Sequence, residues 1–195
     1  VFQVSPAVLI PRPETEVLIE LALEKLNGLA SPMAVDLGTG SGIVAISLAL
    51  ESPAAKIAAV DISEEAIFVA RNNAGRLGAS VDFFQGDWLA PLAGKRFDLI
   101  VSNPPYVAHG DPHLALNGLP FEPQLALTDG ADGLDCIRRI VADAPAHLNP
   151  GGWLLFEHGY DQGEASRNLL TAAGFKAAFT FPDLAGIDRV SGAHF

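Results

Sequence analysis

The sequence has 195 residues, 49% of them apolar and 18% charged, with a formal net charge of −11 and a single cysteine, Cys136. That length suits one domain with one packed core, and no window approaches the roughly 18 uninterrupted apolar residues that a bilayer-spanning helix needs. The acidic excess argues against a protein that tracks a phosphate backbone and favours a protein or small-molecule acceptor, while one cysteine excludes an internal disulfide or a cysteine-based zinc cluster and fits a reducing cytoplasm.

The chain opens Val1-Phe2-Gln3, without an initiator Met and without the basic start and apolar run of a signal peptide, so it reads as a piece of a longer protein. Residues 33–37 form an apolar run that meets Gly38, Gly40 and Gly42, and good helix formers continue over 43–50. This predicts strand, tight loop and helix. The unit recurs: 56–61 is an apolar strand ending in Asp61, and Ser63-Glu64-Glu65 caps a helix predicted to run to about residue 77. Residues 81–85 and 97–102 are predicted strands, the second running into Asn103-Pro104-Pro105-Tyr106, whose prolines end it. Residues 107–133 are predicted as a long loop, 134–148 as a helix, 149–152 (Asn-Pro-Gly-Gly) as a turn and 153–156 as a strand. A helix from near Gln162 to Ala173 stops at Gly174, and residues 176–181 and 189–195 are predicted to close the domain as a hairpin.

Strands alternating with helices predict an α/β fold: a mostly parallel, Rossmann-like seven-stranded sheet with helices on both faces and an antiparallel C-terminal hairpin. Ligands in such sheets sit beyond the carboxyl ends of the strands. That rule lines up the glycine loop, Asp61, Asp87 and Asn103 on one rim.

The loop Gly38-Thr39-Gly40-Ser41-Gly42 can bring backbone N–H groups close to a ligand. Its spacing departs from the dinucleotide fingerprint, which would place the third glycine at Ile43. Asp61 is placed to accept from two ribose hydroxyls, Asp87 from an adenine amino group, and Trp88 to stack on the ring; the plainer readings are a helix-start acid for Asp61 and ordinary core for Trp88. Asn103-Pro104-Pro105-Tyr106 carries the sharpest chemistry. The lone pair of an amide or aromatic amine nitrogen is delocalised, and acceptors at Asn103 Oδ1 and the Pro104 carbonyl can draw on its N–H groups and aim that lone pair at an electrophilic methyl. Tyr106 offers a ring face to a planar group. No metal is needed, and His109 and His113, separated by Asp111-Pro112, read as loop residues.

With these motifs in this order, the chain resembles the class I methyltransferases, and more narrowly the PrmC (HemK) family of peptide chain release factor glutamine methyltransferases. Leu9-Ile10-Pro11-Arg12-Pro13-Glu14-Thr15-Glu16, Phe121-Glu122-Pro123 and Glu157-His158-Gly159 carry the narrower likeness. The resemblance implies S-adenosyl-L-methionine as cofactor, with S-adenosyl-L-homocysteine as product, bound by Gly38, Thr39, Gly40, Ser41, Gly42, Asp61, Asp87, Trp88 and Asn103. Asn103, Pro104, Pro105 and Tyr106 would hold the substrate, the glutamine of a Gly-Gly-Gln motif in a release factor. It implies a cytoplasmic protein, monomeric, with no direct nucleic-acid or membrane partner. Members of the family carry a small helical domain before the Pro-Arg-Pro segment, which only ten residues precede here, so residues 1–195 are expected to be the catalytic domain alone. For Arg12, Glu14 and Glu16 two roles stay open, a border to the methionine end of the cofactor or a clasp to another domain. The rival readings are a glutamine methyltransferase acting on a ribosomal protein, an adenine amino-methyltransferase, a nicotinamide-dependent oxidoreductase and a non-catalytic binding module.

Overall fold

A computed structural model describes residues 1–115 and 122–195. The strands are β1 (Met33–Leu37), β2 (Lys56–Asp61), β3 (Val81–Gln85), β4 (Phe97–Ser102), β5 (Leu148–Glu157), β6 (Lys176–Pro182) and β7 (Asp188–His194). They form one seven-stranded sheet in the order β3-β2-β1-β4-β5-β7-β6. The first five run parallel, and β7 lies antiparallel to both β5 and β6. The helices are α1 (Thr15–Leu26), α2 (Ile43–Glu51), α3 (Glu64–Leu77), α4 (Asp135–His147) and α5 (Gly163–Ala172). The alternation read from the sequence therefore holds, and with it the seven-stranded sheet and its closing antiparallel pair.

Two elements differ from the expectation. The first is α1, which the predicted elements omit. Its buried positions, Val17, Leu18, Leu21, Ala22 and Leu26, recur at helical spacing and pack with α2 against one face of β1, β4 and β5. Ser63 caps α3 as predicted, accepting from the Ala66 N–H at 3.1 Å. The second difference is residues 149–152, which do not turn out of the sheet but form a bulge inside β5. Pairing with β4 jumps from Phe97–Leu148 to Leu99–Trp153. The extra residues are held from both sides: Asn149 donates to Asp98 at 2.7 Å, and Gly151 and Gly152 exchange backbone hydrogen bonds with Phe195. A Pro-Gly-Gly stretch can stay in a strand where bulge geometry satisfies its backbone.

Strand alternation splits the core. Val35, Leu37, Ile100, Leu154 and Phe156 face α4 and α5, while Ala34, Leu99, Val101 and Leu155 face α1 and α2. The order of strands reverses between β1 and β4, and their register pairs Leu37 with Ser102. The Ser102 hydroxyl donates to the Leu37 carbonyl at 2.7 Å. The residues that follow, Gly38 and Asn103, thus emerge side by side at the switch point, where open α/β sheets form their ligand crevice.

Candidate active site

At that crevice lies a cavity of about 450 Å³ lined by the glycine loop, Asp61, Asp87, Trp88, Asn103 and Pro105, and by Val8, Leu9, Pro11 and Arg12 of the N-terminal segment. Asp61 is half-buried and holds the loop, one oxygen accepting from the Gly40 N–H at 2.8 Å and the other from Ser63 at 3.0 Å. Each oxygen keeps lone-pair capacity for a ligand hydroxyl. Burial pushes the Asp61 carboxyl up, against the pull of these N–H donors.

Asp36, absent from the residues singled out by sequence, organises the same loop from beneath. Its Oδ2 accepts from the Thr39 hydroxyl at 2.6 Å and from the Ala45 N–H at 3.2 Å, in the first turn of α2. Complete burial pushes its carboxyl up to about 7. The signal was present: one carboxylate within the apolar run Met33-Ala34-Val35-Asp36-Leu37 has to be satisfied by neighbours.

Trp88 sits between core and cavity. It packs on the core cluster and lines the cavity, and a methyl built on Gly38 would meet its Cζ3 at 3.4 Å. Its φ of 47° is left-handed, a conformation that costs a non-glycine residue about 1–2 kcal/mol. Asp87 is exposed and paired with Arg139 at 2.5 Å, so an adenine amino group would share the carboxylate with a guanidinium. Arg12 joins Glu122 at 2.5 Å, and Glu122 also accepts from the Ile10 N–H at 3.1 Å. This clasp ties the N-terminal segment over the cavity to the loop after β4; its neighbour Phe121 lies outside the described residues. Glu14 lines the smaller pocket described next, and Glu16 is exposed on α1. His109 donates its backbone N–H to Ala131 at 2.8 Å, and the side chain of His113 lies outside the described residues.

A second pocket of about 240 Å³ opens on the other side of Asn103, lined by Pro104, Tyr106, Leu127, Glu157 and Arg189 as well. Asn103 therefore stands in the wall of both spaces. Its Nδ2 donates to the Thr15 hydroxyl at 3.2 Å, Thr15 donates to Glu157 Oε2 at 2.9 Å, and the Tyr106 hydroxyl donates to Glu157 Oε1 at 3.0 Å. Burial pushes the Glu157 carboxyl up, against the smaller opposing pull of these two hydroxyls and the charge of Arg189. Its own burial, and after it the charge of the same carboxylate, push the Tyr106 phenol up, so it stays a neutral donor.

The chain is matched over residues 14–118 by the family model of the methyltransferase small domain. It is 53% identical to the release factor glutamine methyltransferase of Bordetella pertussis, over 99% of this chain and 72% of that protein. The enzyme of the same name from Burkholderia pseudomallei is also 53% identical, over 98% of this chain and 70% of its own length. The chain belongs to the release factor glutamine methyltransferase family. A methyltransferase from Pyrococcus furiosus shares the fold, with a TM-score of 0.72 at 20% identity over 100% of this chain and 87% of its own. The switch-point crevice of this methyltransferase is thus set in a class I methyltransferase sheet, and among the described residues no helix is long and apolar enough to cross a membrane.

Proposed function

We propose that the chain moves the methyl group of S-adenosyl-L-methionine onto the side-chain amide nitrogen of the glutamine in the Gly-Gly-Gln motif of a peptide chain release factor. The observation that carries this reading is the place of Asn103, shared by the larger and the smaller cavity. Residues of the larger cavity suit the cofactor: Asp61 for a ribose diol, the face of Trp88 for adenine, and the side-chain-free glycine loop for close approach of the amino-acid end. When bound, the cofactor supplies an electrophilic sulfonium methyl. The smaller pocket is sized for one amide side chain, with the Tyr106 ring in its wall. Asn103 Oδ1 and the Pro104 carbonyl accept from the substrate NH₂, orienting the nitrogen lone pair toward the methyl. The N–C bond forms as the S–C bond breaks, and the nitrogen sheds one proton to solvent. On this reading the enzyme works in the cytoplasm, as a monomer, on a release factor, with residues 1–195 as its catalytic domain.

The test is transfer of a labelled methyl group to purified release factor, with a Gln→Ala change in its Gly-Gly-Gln loop as control and Asn103→Ala as the enzyme variant. Label on the normal factor alone, and at least about 10²-fold slower transfer by Asn103→Ala with cofactor affinity kept, is expected. Equal labelling of the Gln→Ala factor overturns the acceptor, and full activity of Asn103→Ala overturns the role of Asn103.

A further inference from the structure

The polar chain Glu157–Thr15–Asn103 has a direction built into it. Each oxygen of Glu157 accepts from a hydroxyl, one from Thr15 and the other from Tyr106, and a hydroxyl carries a single proton. Thr15 spends that proton on Glu157 at 2.9 Å, so it can only accept from Asn103, at 3.2 Å. An asparagine amide has one end that donates and one that accepts. With Nδ2 committed to Thr15, Oδ1 is the end left over, and among the described residues it takes no hydrogen bond. Thr15 is 3% exposed and Glu157 1% exposed, so water does not compete for these bonds.

We propose that Thr15 and Glu157 are positioning residues that dictate which end of the Asn103 amide faces the acceptor nitrogen. The inference rests on the functional reading above and deepens it: the enzyme accepts a group that donates N–H because Glu157, two bonds removed, forbids the Asn103 amide from turning over. Tyr106, on the other oxygen of Glu157, keeps the carboxylate from rotating away from Thr15. The placement of Thr15 follows from the turn ahead of it, where its N–H bonds the Arg12 carbonyl at 3.2 Å and starts α1 beside the end of β4.

Three variants separate this from a packing role. Thr15→Ser keeps the hydroxyl and loses a methyl group, whereas Thr15→Val keeps the volume and loses the hydroxyl. Positioning predicts that Thr15→Ser retains kcat within about threefold while Thr15→Val loses about 10- to 100-fold, the scale of a misaligned polar group. Packing predicts the opposite order. Glu157→Gln replaces an accepting oxygen by an NH₂ donor, and a fall in kcat by a similar factor marks the arrangement in which that NH₂ faces Thr15 and releases its proton toward Asn103. Cofactor affinity by calorimetry should stay within about twofold for all three, since the affected end of Asn103 faces the acceptor. If the unaltered chain labels release factor and Thr15→Val matches or exceeds Thr15→Ser in kcat, the positioning role is wrong and the functional reading survives. If the unaltered chain transfers no label, the functional reading falls and takes this inference with it.

Discussion

Gly40 and Gly42 lie two residues apart in one loop, both left-handed at φ of 54° and 83°, yet an alanine should act differently at each. At Gly42 the added Cβ would sit 2.8 Å from Ile46 Cδ1, 3.1 Å from Ala70 Cβ and 3.3 Å from Ala70 Cα. The left-handed backbone costs about 1–2 kcal/mol and the crowding about 1–3 kcal/mol, so Gly42→Ala should destabilise by roughly 2–5 kcal/mol. At about 2–4 °C per kcal/mol for a domain of this size, the melting temperature should fall by roughly 4–20 °C. At Gly40 nothing lies within 4 Å of the added methyl, so only the backbone cost remains. Gly40→Ala should cost about 1–2 kcal/mol and, because Gly40 lines the larger cavity, should also weaken S-adenosyl-L-methionine binding. Ile46→Val added to Gly42→Ala removes the 2.8 Å contact but leaves both contacts to Ala70. It should therefore restore only part of the loss, and a double-mutant cycle by thermal melts and calorimetry reads the coupling. A Gly42→Ala protein that melts no lower than Gly40→Ala, or complete rescue by Ile46→Val, would refute the assignment of the strain to the Ala70 side.

Other perturbations read other parts of the site. Asp61→Ala should raise the cofactor Kd by roughly 5- to 150-fold, the range for a lost charge-assisted contact; an unchanged titration would remove Asp61 from the binding site. Asp36 titrates near 3.8 when unfolded and about 7 when folded. Between those values the folded state holds a proton that the unfolded state lacks, so stability falls as pH rises from about 4 through 7 and levels off above, by on the order of 4 kcal/mol. Urea melts of Asp36→Asn at pH 5 and pH 8 should show a flatter dependence than the unaltered chain, and parallel curves would contradict the burial argument. Glu122→Ala frees Arg12 and the Ile10 N–H together, and should weaken cofactor binding by about 3- to 10-fold while barely moving the melting temperature; a large thermal shift with normal binding would make the clasp purely structural.

The sheet was legible because β1 to β4 are apolar runs punctuated by glycine, an N-cap serine or proline, signals that act within a few residues of each other. The helix α1 carries an equally local pattern at Val17, Leu18, Leu21 and Ala22, but it begins two residues after Pro13, and the two prolines of Pro11-Arg12-Pro13 read locally as a break in regular structure. The bulge at 149–152 was not local at all. Its Pro-Gly-Gly is identical in composition to a turn, and the Asp98 and Phe195 partners that keep it in the sheet come from elsewhere in the chain. The same distinction divides the site. Asn103 and the glycine loop announce themselves by spacing, whereas Thr15 and Glu157 meet across 142 residues, and neither residue type in isolation signals chemistry.

The insertion of β7 between β5 and β6 has a consequence for how the molecule comes into being. The innermost parallel strands can assemble in the order in which they are made, each new strand finding a neighbour already in place. β6 cannot, because its sheet partner is β7, which is synthesised after it. Until that last strand arrives, the edge of β5 stays open and Leu155, later covered by Val190 and Gly192, remains accessible. A nascent or truncated chain without β7 is therefore one with an unsatisfied strand edge beside its core, a form prone to pair with other chains.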